Sequence, residues 1–143
     1  MTRSLHRNIK AVRAIDPQSL GATAAGGKTS KIIDRNGYEG LELLVALGAI
    51  AATDATVTAV VRDGDASGAL AVATGSSVLG TLAMAGETSP RVSGVSEYVT
   101  RRIGYIGPHR YVQLDLVPTV SGAIQAAAIA VLGEPRDMPV ASQ

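Results

Sequence analysis

The chain has 143 residues, which fits one domain, and its net charge of +1 creates no bulk field towards nucleic acid or an anionic membrane. Hydrophobic residues make up 46% of it, yet it has no Cys, Trp or Phe, and its only aromatic residues are four Tyr. The lack of Cys excludes a disulfide scaffold and a thiolate metal site. We therefore expect a core of Val, Leu, Ile and Ala, and neither nucleic acid nor a membrane as a partner.

The first twelve residues are predicted to form an extended basic arm. Arg3, His6, Arg7 and Lys10 all lie in it, and no acidic residue precedes Asp16. The alternative is a frayed, solvated terminus, which the same composition would suit.

After the arm, the sequence alternates apolar and polar residues with a period of two. This alternation is typical of β-strands that bury one face. It is clearest in residues 110–117, where Val112, Leu114 and Leu116 alternate with polar neighbours. Strands are predicted at residues 9–15, 31–34, 41–50, 55–63, 97–105, 110–117 and 123–132.

Two apolar stretches are less regular. Residues 69–85 are rich in Ala, Leu and Gly and show no clear period. Residues 123–132 have the alanine content of a helix, but their apolar residues do not recur at helical spacing, so a strand is preferred.

The turn signals define the predicted architecture. Ile106, Gly107 and Pro108 separate two strands at a distance that suits a hairpin. Turn signals that recur every ~8–12 residues are typical of sandwiches and barrels. The prediction is a single all-β domain, 1–143. It is an antiparallel β-sandwich or partly closed barrel, jelly-roll or Ig-like, with an arm (1–12), a body (13–133) and an extended tail (134–143).

One glycine-rich stretch resembles a phosphate-binding loop. It runs from Gly21 to Thr29 and ends in Gly-Lys-Thr, but Ala22 stands where that motif requires its first Gly. The motif also needs a buried strand before it and a helix after it. Neither is predicted here, so we interpret residues 21–27 as a flexible loop.

No constellation in the sequence points to catalysis or metal binding. His6 and His109 each lack a second His at ligand spacing, and the segment from Asp63 to Asp65 lacks the bidentate Glu of a calcium loop, so we interpret it as a turn. A serine nucleophile motif is missing as well. A pair of catalytic carboxylates stays open, although no pair stands out. We expect a protein that is not an enzyme and has no cofactor or metal.

Basic residues are the candidate contacts with partners. Arg101 and Arg102, with Arg110 nearby, predict a small basic group on adjacent strands. Neighbouring residues of a strand point to opposite faces, so one arginine would face solvent and the other a partner. The alternative is a solvated sheet face. The full candidate set is Arg3, Arg7, Lys10, Arg101, Arg102 and Arg136.

Four segments, residues 37–45, 55–61, 104–114 and 128–136, resemble small β-rich structural proteins encoded in the head gene clusters of tailed bacteriophages. The resemblance covers about residues 37–138, with poor correspondence over 64–96. It implies a virion protein, most of all a capsid decoration (cement) protein that stabilises the outside of the head. The implied partners are the major capsid protein and copies of the chain itself, as a homotrimer. The implied location is the capsid surface, after assembly in the host cytoplasm.

Three alternatives remain open. One is a head–tail joining or tail structural protein, and another is a carbohydrate-binding or host-adhesion module on the virion. The scarcity of aromatic residues argues against the second, because sugar rings usually stack on them. The third is an enzyme, for which no residue stands out.

Overall fold

The computed structural model describes residues 5–20, 28–50, 57–80, 82–85, 100–118 and 124–136. Its elements are a 3-10 helix at Leu5–Arg7 and strands β1 Lys10–Leu20, β2 Lys28–Thr29, β3 Ile33–Asp34, β4 Tyr38–Ile50, β5 Val57–Gly64 and β6 Ala71–Val72, then a 3-10 helix at Gly75–Ser77 and strands β7 Val78–Leu79, β8 Ala83–Ala85, β9 Thr100–Tyr105, β10 Tyr111–Pro118 and β11 Ile124–Pro135. No helix within these ranges is long and apolar enough to cross a membrane.

The strands form two antiparallel sheets. Sheet A has the order β1-β11-β4-β9-β7, and sheet B has the order β2-β10-β5-β6. In sheet B, β3 also pairs with β10 and β8 also pairs with β5. The sheets do not close into a barrel, so the predicted all-β antiparallel sandwich is confirmed.

The strands pair in a nested order, from the two ends of the sequence towards its middle. β1 pairs with β11, β2 and β3 pair with β10, β4 pairs with β9, and β5 pairs with β6 and β8. Three further pairings, β11 with β4, β10 with β5 and β7 with β9, complete the sheets. A long antiparallel hairpin rolled onto itself in this way is a jelly roll, the first of the two topologies predicted from the sequence.

The period-two alternation places one face of each long strand in the shared interior. Leu43 and Val45 on β4 and Leu114 and Leu116 on β10 have no exposed surface. Their polar or half-buried neighbours in the chain point outwards. Burial of these aliphatic side chains between the sheets supplies the main hydrophobic stabilisation, at roughly 25 cal/mol per Å² of apolar surface.

Each predicted strand overlaps an observed one, but the boundaries differ at both ends of the body. β1 begins at Lys10, inside the range predicted as the arm, and β11 continues to Pro135, inside the range predicted as the tail. Both strands extend because they pair with each other and β11 also pairs with β4. Residues 1–4, 21–27 and 137–143, which hold the rest of the arm, the glycine-rich loop and most of the tail, lie outside the described residues.

The predicted hairpin at residues 106–108 is wrong. β9 belongs to sheet A and β10 to sheet B, so this connection crosses from one sheet to the other. The backbone N–H of Ile106 donates to the carbonyl of Ser77 (2.9 Å), not to β10. Turn residues and a short spacing occur both in hairpins and in such crossings, and the sequence does not distinguish them. Arg102 and Arg110 are therefore not on adjacent strands, and the predicted basic group does not form there.

Candidate functional site

A buried arginine organises one end of the sandwich. Arg35, between β3 and β4, is only 8% exposed. Its terminal nitrogens donate to the carbonyls of Gly107 (2.8 Å), His109 (2.8 Å) and Glu39 (2.6 Å). Its guanidinium also lies 4.8 Å from the centre of the Tyr105 ring. Arg35 therefore fixes the crossing between β9 and β10 against the start of β4, and its acceptors are backbone carbonyls, not carboxylates.

A tyrosine and an aspartate connect the two sheets beside Arg35. The Tyr105 hydroxyl on β9 donates to Asp63 Oδ2 on β5 at 2.6 Å, and both side chains are buried. Burial, together with the hydrogen bond to the Asp63 carboxylate, raises the pKa of Tyr105 well above its usual value. The interpretation of Asp63 as a turn residue is wrong, because it is the last inward-facing side chain of β5.

The crossing itself is shaped by a glycine and a histidine. A Cβ at Gly107 would collide with the hydroxyl and ring of Tyr105, so this position requires glycine. The backbone N–H of His109 donates to the Tyr105 hydroxyl (3.3 Å). Its Nδ1 lies 3.1 Å from Asp65 Oδ1, although the two are not aligned as a hydrogen bond. His109 therefore lies in a sheet-crossing connection and not at a hairpin corner.

Two exposed arginines flank the same end of the molecule. Arg110 donates through Nε and a terminal nitrogen to both carboxylate oxygens of Asp34, at 2.8 and 2.7 Å. This charged hydrogen bond lowers the pKa of Asp34 and raises that of Arg110. Arg136 donates through Nε to Glu39 Oε1 at 2.6 Å.

These groups surround a cleft of about 170 Å³, which we call the arginine cleft. Its lining residues are Arg35, Asn36, Tyr38, Glu39, Gly107, Pro108, His109, Arg110 and Arg136. The lining thus includes three arginines and one acidic residue, Glu39. The cleft is smaller than the ~300–1,000 Å³ of a typical small-molecule pocket, so its size suits one functional group and not a whole cofactor.

The described residues form neither a metal site nor a phosphate-binding loop. No group of three or more His, Cys, Asp or Glu side chains within them is placed to hold a metal ion. Lys28 and Thr29, which end the phosphate-loop-like motif, form a strand that is followed by another strand, so the helix required by that motif is missing there.

The predicted partner contacts are spread over the molecule. Arg3 lies outside the described residues, Arg7 is exposed in the first 3-10 helix, and Lys10 starts β1. Arg101 and Arg102 follow each other on β9. Of the five that the structure describes, only Arg136 lines the arginine cleft.

The residues that organise the cleft were missed at the sequence level. One signal was present, because Asp63 follows Val57, Ala59 and Val61 on the inward face of β5 and breaks an apolar series. A carboxylate at such a position needs a buried hydrogen-bond donor. Nothing in the sequence around Arg35 indicates that its side chain would reach a connection more than seventy residues away.

The outer side of sheet A, which we call face A, carries apolar side chains at its centre and charged ones among them. Strand pairing aligns Arg13, Ile129, Leu44 and Arg102 in one row across β1, β11, β4 and β9. Ile129 is 46% exposed. The neighbouring row brings Val131, Glu42, Gly104 and Leu79 together. Shallow apolar hollows of about 240 and 260 Å³ lie on this face.

Comparison with known proteins finds similar folds but no matching family. No protein-family model matches the sequence, and no curated protein matches it as a relative. Among solved structures, the VP2 subviral particle of infectious bursal disease virus is similar, with 16% identity and a TM-score of 0.53 over 94% of this chain and 34% of that one.

Two further structures are similar more weakly. The infectious bursal disease virus Gx strain has 15% identity and a TM-score of 0.49, over 92% of this chain and 34% of that one. The xylanase 10B modules of Clostridium thermocellum have 12% identity and a TM-score of 0.44, over 96% and 29%. The chain spans about a third of the length of the viral structures, and at these identities the similarity shows the fold alone.

Proposed function

We propose that this protein is a structural protein of a virus particle, and more narrowly a capsid decoration protein on the outside of a tailed-phage head. The observation that carries the proposal is face A, where large apolar side chains such as Ile129 and Leu79 are exposed on a jelly-roll body. The similarity in fold to VP2, a protein of a subviral particle, supports the wider proposal. The resemblance of four sequence segments to tailed-phage head proteins supports the narrower one.

Face A has the extent of a protein–protein interface. Its pairing of β4 with β11 runs from Tyr38 opposite Pro135 to Ile50 opposite Ile124. At about 3.3 Å per residue and 4.8 Å between strands, β1, β11, β4 and β9 together present about 670 Å². A stable interface buries about 600–1,000 Å² on each partner, so the area of this face lies within that range.

The proposed partners are the major capsid protein, which contacts face A, and further copies of this chain in a homotrimer. Many copies on a symmetric shell multiply modest contacts through effective concentration. This role requires no cofactor, nucleic acid or membrane. It places the protein on the capsid surface, after assembly in the host cytoplasm.

A reconstruction of the particle by electron cryomicroscopy, with copy number from quantitative mass spectrometry, tests the proposal. We expect density that fits the jelly roll at many equivalent positions on the shell, with face A towards it. A single ring at one vertex would instead indicate a head–tail joining protein. Absence from the particle, or a monomer in light scattering that does not bind empty heads, would contradict the proposal altogether.

A further inference from the structure

We infer that the arginine cleft binds a carboxylate side chain, Asp or Glu, from another polypeptide. The inference depends on the geometry of the cleft and does not require the protein to belong to a virus particle. In a particle, a neighbouring subunit would supply the acidic residue.

The charges of the cleft favour a single anionic group. Its lining holds Arg35, Arg110 and Arg136 against the carboxylate of Glu39. Asp34 binds Arg110 from outside this lining, and the hydrogen bonds of Arg35 go to carbonyls. A positive charge in the lining is therefore left without a carboxylate partner.

Hydrogen-bond donors remain for such a ligand. Arg136 contacts Glu39 through Nε, and its terminal nitrogens make no hydrogen bond within the described residues. Guanidinium and carboxylate groups match each other in two parallel N–H···O bonds, which are stronger than hydrogen bonds between neutral groups. Arg136 can thus hold Glu39 and an incoming carboxylate at once.

The walls of the cleft are preorganised. Arg35 holds the carbonyls of Gly107, His109 and Glu39 in place, and the buried pair of Tyr105 and Asp63 supports the crossing from behind. A site whose walls are already fixed loses little entropy when a ligand binds. The ordering of exposed Arg136 is the main remaining cost.

The same features favour an acidic side chain over a free phosphate. A volume of about 170 Å³ accommodates a carboxylate with its methylene groups, and Tyr38 and Pro108 offer apolar surface to those groups. The Glu39 carboxylate repels a doubly charged phosphate more strongly than a singly charged carboxylate.

Nuclear magnetic resonance of the intact 15N-labelled protein at low salt and pH 7 tests the inference. The probe is an N-acetylated, C-amidated Ala-Glu-Ala peptide, and the matched control is the same peptide with Gln. We expect the Nε–H signals of Arg110 and Arg136 to shift saturably with the Glu peptide and not with the Gln peptide. A third titration uses inorganic phosphate, which we expect to bind more weakly.

Two variants that each remove one positive charge test where on the protein the Glu peptide binds. Arg136→Gln should weaken binding of the Glu peptide about tenfold. Arg102→Gln, on exposed face A, should leave it unchanged. Backbone amide spectra confirm that both variants are folded.

Several outcomes would overturn the inference. They are the lack of saturable shifts, equal responses to the Glu and Gln peptides, tighter binding of phosphate than of the Glu peptide, and equal weakening by both variants.

Discussion

The two sheets share one interior but differ at the centre of their outer faces. On face A, Ile129 and Leu44 lie side by side at the centre of the sheet. The outer side of sheet B, which we call face B, carries Thr58 and a 2.6 Å ion pair between Arg62 and Asp115. Each outward row across β5 and β10 on face B includes a polar side chain, and the exposed Val72 lies on the edge strand β6. Apolar side chains are direct neighbours at the centre of face A, so face A leaves more central apolar surface to be covered.

This contrast shows how one pattern serves two purposes. Alternation with period two is enough to fill the core from both sheets. The residues in the outward positions then decide whether a face is solvated or available to a partner, and they do so with little effect on the fold. Exposed apolar patches larger than a few hundred Å² mark interaction sites in soluble proteins.

Residues of both sheets form one hydrophobic core, and truncation of buried side chains in each sheet tests this. Leu43→Ala in sheet A and Leu114→Ala in sheet B each remove a fully buried side chain. Each should lower the free energy of unfolding by about 2–5 kcal/mol in urea titrations, because transfer energy is lost and a cavity is left. A small loss in one sheet only would show that the sheets do not share one core.

The link between the sheets is tested by Tyr105→Phe. This variant leaves the buried Asp63 carboxylate without its hydroxyl donor and should cost about 1–3 kcal/mol. The pKa of Tyr105 is raised in the folded protein. Above pH ~10 an unfolded tyrosine loses its proton while Tyr105 keeps its own, so wild-type stability should fall as pH rises.

Denaturation followed between pH 8 and 11 checks the sign. The wild-type protein should lose stability above pH ~10, and Tyr105→Phe should remove part of that loss. If both proteins showed the same dependence on pH, the buried hydrogen bond between the sheets would not be present in solution.

Ion pairs on the two faces should differ in energy. Arg62→Gln on face B breaks a short pair whose Asp115 side chain is only 13% exposed, so we expect a loss of about 1–2 kcal/mol. Arg102→Gln on face A breaks a 3.8 Å contact with Glu42 and should cost less than about 0.5 kcal/mol. Thermal unfolding of the two variants at low and high salt measures the difference, and equal losses would remove this contrast between the faces.

The smallest effect on folding, and the largest on assembly, is expected for an added charge. Ile129→Lys on face A and its control Thr58→Lys on face B should each change the free energy of unfolding by less than about 1 kcal/mol. Binding to empty heads, measured by cosedimentation, should be lost for Ile129→Lys alone. Retention of binding by Ile129→Lys, or its loss in both variants, would show that face A is not the contact surface.

Much of the fold was predictable because the alternation of apolar and polar residues within a strand is visible in the sequence. The alternation around Leu114 and Leu43 reports which side of a strand is buried, and it does so without knowledge of its neighbours. Strand ends were less predictable, since Lys10 and Pro135 belong to strands only through their partners. The candidate site was not predictable, because Arg35 acts on residues that become its neighbours only in the folded chain.

The sequence by itself determined a Cys-free aliphatic core, one set of buried strand faces and the lack of a recognisable catalytic motif. The tertiary structure alone decided that β9 and β10 lie in different sheets, that the nested pairing makes a jelly roll, and that Arg35, Arg110 and Arg136 surround one cleft. The physical reason is that alternation encodes burial and not the identity of a partner. A strand has the same pattern whichever strand it pairs with, and long-range packing makes that choice.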